Sequence, residues 1–329
     1  MQKGNIHSPV LVAIVNSYNR LDLLRNAMSS LVHALEDLQV CSTVVVFDAG
    51  STDGSRQWLE EFTNDQHRIP VHRVYPKFGD DTSFSAGVNA AWEYVIERFN
   101  GVRYLLLFET DNWLSNSAPI LDGIALLEHE THLGVVGFTV EKYSGASAGY
   151  GCSFPSLFEF LLGPQFASLL RVDQLALPTW RHYGTSRWAL CEVIFTSPVL
   201  IKVDAWKQSH GLDAVIFPYS ECDVDWCWRL KKLGWSVGVL DCKGVVHDNQ
   251  HNPSAWSVLR VVSLHRARLR LLERHRASWV GWLKPLLLLR HVVEFVALAL
   301  LYAVGRKPKH SLTKRWMLMR TVFRGYTVK

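Results

Sequence analysis

The first half of the chain alternates short, unbroken apolar runs with longer stretches of helical spacing. Val10 to Val15 is continuous apolar sequence, the mark of a strand buried on both faces. Leu21 to Leu38 then carries apolar positions three and four apart, which predicts a helix. The alternation continues with strand Thr43 to Phe47, helix Asp53 to Phe62, strand Val71 to Tyr75, helix Ala86 to Phe99 and strand Tyr104 to Phe108. This pace predicts an α/β fold with a Rossmann-like, mostly parallel central sheet and helices on both faces. Functional side chains in such sheets gather beyond the carboxyl ends of the strands, where Asp48, Glu109 and Asp111 stand.

From Tyr143 to Tyr183 the pattern is irregular and rich in Gly, Ser, Pro and aromatic residues, a long connection of the kind that is functional or mobile. Strand-like sequence returns at Val193 to Val203. A helix is predicted over Asp223 to Leu233, stopped by Gly234, with strands at Ser236 to Leu240 and Gly244 to His247. Beyond Pro253 the character changes, so the chain divides into residues 1–254 and a tail, 255–329. The tail opens with a basic helix, Ser257 to Arg276. Pro285 to Val304 follows, 20 mostly apolar residues, long enough to cross a bilayer. Arg290, His291 and Glu294 weigh against a span. They fall within roughly 100° of one helix face, the pattern of a helix lying in the membrane interface. Packing on the protein's own core and a true span are the other two readings.

Charge sharpens the division. Of 35 Lys and Arg, 16 lie between Ser257 and Lys329, together with only two of the 30 acidic residues; the rest of the chain holds 19 basic and 28 acidic residues. A basic tail on an acidic body suits an anionic partner, and the apolar sequence between its charges favours lipid over nucleic acid. The six cysteines form no C-x-x-C pair, and the opening MQKGNIHSPV has no apolar leader segment. Both fit a cytoplasmic protein with reduced thiols. The 13 tryptophans suit packing more than sugar stacking.

Four segments carry candidate chemistry. Asp48-Ala-Gly-Ser-Thr-Asp-Gly54 follows a buried strand, and its small residues let backbone approach a ligand while Asp48 accepts hydrogen bonds from a base or ribose. A plain turn capped by Ser51 or Asp53 is the alternative. It is neither an EF-hand nor a Walker A loop, because Asp53 stands where the former needs Gly and no Gly-Lys-Ser/Thr follows. Glu109 and Asp111 alternate after a strand, so both can face one cation, and carboxylates suit Mg²⁺ or Mn²⁺; an acidic loop end has the same spacing. Glu221, Asp223 and Asp225 crowd three carboxylates at a helix start, as a general base with a cation nearby or as caps. Last, His247 follows a strand, with His251 four residues on. Glu128-His-Glu-Thr-His132 is one residue short of H-E-x-x-H.

Taken in order, these segments resemble the family 2 glycosyltransferases of the GT-A fold, in particular bacterial rhamnosyltransferase-like members. The resemblance rests on Val15-Asn-Ser-Tyr-Asn-Arg20, Val46 to Ser55, Asp81 to Asn89, Glu109-Thr-Asp111, Gly211-Leu-Asp213 with Cys222 to Leu230, and His247. It covers Val10 to Ser254, and a basic apolar tail is also typical of the group. It implies an inverting transferase that moves a sugar from a nucleotide-diphosphate sugar to a hydroxyl of a glycan or lipid-linked acceptor in cell-surface polysaccharide synthesis. Ser17, Tyr18, Asn19 and Asp48 would contact the nucleoside, in a donor site that also takes in Ser51, Asp53 and Asn89. Asp111 would bind divalent Mn²⁺ or Mg²⁺ with His247 and Glu109, and Asp223 would be the general base. The tail would hold the enzyme on the inner face of the cell membrane. Two positions depart from the pattern. Glu109 opens the D-x-D slot, and Cys222 precedes Asp223 where Glu is usual, so Glu221 remains a second choice of base. A sugar nucleotidyltransferase and a non-catalytic carbohydrate- or nucleotide-binding module are the rival readings.

Overall fold

The computed structural model describes residues 9–64, 67–170, 178–247 and 257–323. His251 and the expected boundary at 254 lie outside these. The chain forms two compact units, one of residues 1–153 and 177–250, the other of residues 154–176 and 251–329.

The first unit starts with β1 (Leu11–Ser17), α1 (Leu21–Glu36), β2 (Ser42–Asp48), α2 (Ser55–Phe62), β3 (Val71–Val74), α3 (Phe84–Arg98) and β4 (Tyr104–Glu109). It goes on with β5 (Asn112–Leu114), α4 (Ala118–His129), β6 (Leu133–Phe138), β7 (Val140–Glu141), β8 (Ser147–Gly149) and β9 (Gly151–Cys152). In the second unit lie α5 (Leu157–Leu162) and α6 (Pro164–Leu169). The chain returns to the first unit with β10 (Arg181–Tyr183), β11 (Ser186–Cys191), β12 (Val193–Ile194), β13 (Val199–Lys202), α7 (Val203–Gln208), α8 (Cys222–Lys232), β14 (Ser236–Asp241) and β15 (Val245–His247). The second unit closes with α9 (Val258–His275), α10 (Ala277–Ala303) and α11 (Lys309–Phe323).

Nine strands form the central sheet, in the order β10-β11-β14-β6-β13-β4-β1-β2-β3. The four strands β4, β1, β2 and β3 are parallel neighbours, as the apolar runs predict. Their residues Leu11 to Val15 and Val44 to Phe47 are at most 1% exposed, which is what burial beneath helices on both faces requires. The expectation of a mostly parallel sheet needs amendment in the other half. There β13 runs antiparallel to both β4 and β6, and β11 antiparallel to β14 and β10. The expected strand Val193 to Val203 is in fact two, split at Phe195–Pro198; its first part pairs with β9 and its second enters the central sheet. A smaller sheet, β5-β15-β7-β8, stands beside the carboxyl end of β4.

The helix α8 is fastened by its own crowded carboxylates and aromatics. Asp225 is fully buried and ion-paired to Arg229 at 2.8 Å, and Arg229 also donates to the carbonyls of Ser209 and Gly211. Trp226 donates to Ser209 Oγ at 2.8 Å and meets Trp206 edge to face, with ring centroids 5.5 Å apart. These two tryptophans serve the core.

Within the second unit, the polar face of α10 points inward. His291 is 1% exposed, and its Nδ1 lies 2.8 Å from the Arg315 guanidinium of α11, its Nε2 3.3 Å from His265 of α9. Glu294 pairs with Arg290 at 2.9 Å and with Arg315, while Arg290 donates to the carbonyls of Phe160 and Leu161 at 3.0 Å each. An interfacial helix turns its charges to water; here neighbouring helices supply their partners instead. What α10 exposes is apolar: Trp279, Trp282, Leu286, Leu289, Val293, Val296 and Leu300, spaced alternately three and four residues apart. Among the described residues α10 is the one helix long and apolar enough to cross a membrane, with a mean hydropathy of 1.9 over its best window.

Removing one partner of a buried ion pair leaves the other charge uncompensated. Asp225→Ala should therefore cost roughly 3 kcal/mol of stability in urea denaturation, whereas Asp223→Ala, on the partly exposed side of the same helix, should cost far less.

Candidate functional site

The parallel strands β4, β1 and β2 end side by side. Ser17 is opposite Asp48 in the register, and Asn16 is opposite Glu109. The loops that leave β1 and β2 are bound to each other. Asp48 Oδ1 accepts from the Ser51 N–H at 2.9 Å, and Ser51 Oγ accepts from the Asn19 N–H at 2.9 Å. Asn19 Oδ1 accepts from the Thr52 N–H at 2.7 Å. Asp53 spans both helices, accepting from the Leu21 N–H at 2.9 Å with Oδ2 and from the Ser55 N–H and hydroxyl at 3.1 and 2.6 Å with Oδ1. Gly50 and Gly54 have φ of 91° and 92°, which a side chain would strain. Asn19 takes a left-handed φ of 49°, held there by its bonds across the two loops.

Three buried polar atoms here find no hydrogen-bond partner: Ser17 Oγ, Asp48 Oδ2 and Asp111 Oδ1. Their residues are 2%, 0% and 7% exposed. Buried polar atoms are normally satisfied, because each one left bare costs on the order of 1–3 kcal/mol. Three of them at adjacent strand ends, with Tyr18 standing 58% exposed beside them in sequence, mark a surface built to be completed by something else.

The acidic loop after β4 adds charge. Arg20, from the first loop, reaches Asp111 Oδ2 at 3.5 Å, and His247 Nδ1 lies 3.7 Å from Asp111 Oδ1. That nitrogen lies 2.9 Å from Asn112 Oδ1, its partner in the β5–β15 register, so Nδ1 is the donor. Phe195 stacks on the imidazole with centroids 6.4 Å apart. Ser197 Oγ accepts from the Glu109 N–H at 2.7 Å and touches the Asn112 amide. Burial pushes the Glu109 carboxyl up to about 8; the negative charges of Asp111 and Asp223 add to the rise and Arg20 opposes it.

That coupling brings in the third acidic segment. Asp223, in the first turn of α8, lies close enough to Glu109 to disfavour its ionisation. Glu221 is buried at the helix start with a left-handed φ of 64°, a backbone state that non-glycine residues hold only where the surroundings force it. Cys222 is buried, and burial together with Asp223 raises its thiol pKa, which keeps it a neutral thiol.

Glu109, Asp111, His247 and Asp223 therefore converge, with Ser17 and Asp48 at the neighbouring strand end. Other sequence candidates make bonds within the protein. Ser51 and Asp53 are spent on loop bonds. Asn89 pins α3 to the backbone after α7, donating to Leu212 O at 2.7 Å and accepting from the Leu212 N–H at 3.1 Å. Asp225 is ion-paired away from the cluster. The structure adds Arg20, Asn112 and Ser197. Arg20 sits in a segment already singled out, but its reach to Asp111 depends on how two loops meet. For Ser197 the only hint is the Ser197-Pro198 break in an apolar run.

Among the described residues no three His, Cys, Asp or Glu side chains are grouped to hold a metal ion by themselves. A divalent cation would need Asp111 Oδ1, which has no hydrogen bond, with Glu109 or His247 beside it on the protein side, and a bound diphosphate or water for the remaining ligands. Mg²⁺ is commonly held in that way.

Asn89→Ala removes both bonds to Leu212. It should lower stability by about 2 kcal/mol in thermal or urea denaturation; a side chain whose role is ligand contact would leave the unliganded protein unchanged.

No protein-family model matches the chain, and no curated protein matches its sequence. Solved structures do match by fold. A mannosyltransferase from Pyrobaculum calidifontis, in complex with GDP-mannose and Mn²⁺, superposes with a TM-score of 0.51 at 13% identity, over 97% of this chain and 89% of that one. Residues 1–349 of S. aureus TarS give 0.50 at 14% identity, over 95% and 81%. GalNAc-T7 with UDP, GalNAc and Mn²⁺ gives 0.56 at 10% identity, over 81% of this chain and 48% of that one. The chain spans 40% of the longer TarS chain. At these identities the likeness establishes the fold, a GT-A α/β architecture.

Proposed function

We propose that the chain is an inverting glycosyltransferase that uses a nucleotide-diphosphate sugar. The observation that carries this is the set of bare polar atoms of Ser17, Asp48 and Asp111 at the adjoining ends of β1, β2 and β4, on a sheet whose structural neighbours were solved with GDP-mannose or UDP. In this reading Asp48 Oδ2 and Ser17 Oγ take the hydrogen bonds of a nucleoside, and Tyr18 covers it. Ser51, Asp53 and Asn19 hold the loop that receives it. Arg20 faces the diphosphate. Asp111, with Glu109 and His247, holds Mn²⁺ or Mg²⁺, which when bound offsets the charge of the departing nucleoside diphosphate.

Asp223 is the general base. It shares the electrostatic environment of Glu109, whereas Glu221 is fixed at the helix start, and a base must face the hydroxyl it deprotonates. The acceptor hydroxyl loses its proton to Asp223 as its oxygen attacks the anomeric carbon from the side opposite the leaving diphosphate, which inverts that centre. Holding donor and acceptor in line supplies much of the acceleration. The acceptor class is a glycan or lipid-linked sugar of cell-surface polysaccharide synthesis. The donor is a hexosyl nucleotide, with a rhamnosyl donor favoured by the sequence resemblance.

A screen of dTDP-, GDP- and UDP-sugars by thermal shift, with and without Mn²⁺, tests the donor site, because a ligand that binds only the folded state raises the melting temperature. One nucleotide sugar should stabilise the protein in a metal-dependent way, and Asp48→Ala should abolish the shift. With that donor, Asp223→Asn should lower transfer by about 10²–10⁴-fold while the thermal shift persists. Full activity in Asp223→Asn would remove it as the base, and stabilisation without transfer in the wild type would favour the non-catalytic module.

The second unit, residues 154–176 and 251–329, is proposed to hold the enzyme peripherally on the cytoplasmic face of the membrane. The support is the exposed Trp and aliphatic stripe of α10 on a unit rich in Lys and Arg, since apolar area and basic charge together bind anionic bilayers. Replacing Trp282 and Leu289 by Ser leaves the inward polar network untouched. It should release the full-length protein from anionic liposomes in flotation, and retention at wild-type level would overturn this placement.

A further inference from the structure

A cleft of about 380 Å³ in the first unit is lined by Asn26, Ser29, His33, Trp113, Ser115 and Tyr143, and by none of Glu109, Asp111, Asp223 and His247. The first three project from one face of α1, at spacings of three and four residues. Ser30, on the same face, donates to Ala27 O at 3.0 Å and accepts from the Leu114 N–H at 3.3 Å, which fixes β5 against the helix. Tyr143 stands on the turn between β7 and β8, closed by a Gly145 N–H to Lys142 O bond of 2.8 Å, and is 55% exposed.

The chemistry of this cleft is unlike that of the acidic cluster. No Asp, Glu, Lys or Arg lines it. It offers two aromatic rings, hydroxyls, an amide and an imidazole. A phosphate or nucleotide finds no cationic partner there. A neutral pyranose matches it, with apolar C–H faces to lie against rings and hydroxyls to exchange hydrogen bonds with Asn, Ser and His. Its volume is at the small end of ligand sites, enough for one or two sugar units. Residues 112 and 113 are successive on β5, so their side chains point to opposite faces. Asn112 faces His247 and the acidic cluster, and Trp113 therefore lines the cleft from the other side. β5 is also an edge strand of its small sheet.

We infer that this cleft is a saccharide-binding subsite, separate from the donor site, which takes a neutral sugar unit of a glycan. The inference stands on the cleft's own chemistry, so it can fail while the donor site holds, and the reverse.

The test uses the full-length protein and a panel of neutral mono- and disaccharides, namely glucose, galactose, mannose, rhamnose, N-acetylglucosamine, cellobiose and maltose. Binding is followed by indole NMR shifts, with Trp113 assigned from its own substitution. At least one saccharide should shift the Trp113 signal with a dissociation constant in the millimolar range. The affinity should fall by about tenfold or more in Tyr143→Ala, an exposed turn position that leaves folding intact, and in Asn26→Ala on the exposed face of α1. Saturating UDP or GDP, and Asp48→Ala, should leave it unchanged. The inference is overturned if no saccharide in the panel moves the Trp113 signal, if the shift survives both Tyr143→Ala and Asn26→Ala, or if a nucleoside diphosphate competes it away. In the last case the sugar is reporting the donor site instead.

Discussion

The site depends on negative charge held under burial that the protein's own groups only partly offset. The charges of Asp111 and Asp223 oppose the ionisation of buried Glu109, and Arg20, 3.5 Å from Asp111, offsets part of that effect. Crowded carboxylates of this kind are costly to keep. The surrounding structure keeps them by fixing the backbone: β5 pairs with β15, Ser197 and Asn112 tie the loop after β4, and α8 is anchored from behind by Asp225, Arg229 and Trp226. The result is an array with a standing demand for positive charge and hydrogen-bond donors. The proposed metal-bound nucleoside diphosphate would supply both, which is the physical sense of placing the donor at the ends of β1, β2 and β4.

The division of labour among neighbouring acidic residues follows from what each one already holds. Asp53 has its oxygens taken by backbone and hydroxyl donors, so it is a clamp. Asp225 has Arg229. Asp48 and Asp111 each keep a bare oxygen, so they remain able to bind something. Residue type cannot separate these cases, because all four are Asp at loop or helix starts. The separation is made by three-dimensional accounting of hydrogen bonds.

That accounts for what could and could not be read from the sequence. Strands β1, β2 and β4 were legible as short apolar runs between helical stretches, buried on both faces in the structure, and the ends of β2 and β4 located Asp48, Glu109 and Asp111. The reversal of β13 was not legible, since an apolar strand reads the same in either direction and the reversal depends on which neighbours it joins. Asn89 entered the donor site through the family resemblance alone; its bonds to the Leu212 backbone, 123 positions away, could not be read from the sequence. Arg20 and Ser197 matter through contacts between distant segments, which leave no local periodicity.

The second unit makes the same point about polarity. A count of charges on α10 set Arg290, His291 and Glu294 against a bilayer, on the premise that charged side chains face water. Their partners are instead Arg315, His265 and the carbonyls that end α5, so the polar face is consumed within the helix cluster. Pairing those charges inside the helix cluster lowers their cost near lipid, because a paired and hydrogen-bonded charge is cheaper to desolvate than a bare one. What remains to meet the surroundings is the Trp279-to-Leu300 stripe, apolar along its whole length, with Arg306, Lys307 and Lys309 beyond the carboxyl end of the helix. An aromatic and aliphatic face ending in a basic cluster is what supports the proposed contact with an anionic membrane. The charges that argue against a membrane in the sequence are, in the fold, paired on the side of α10 away from that face.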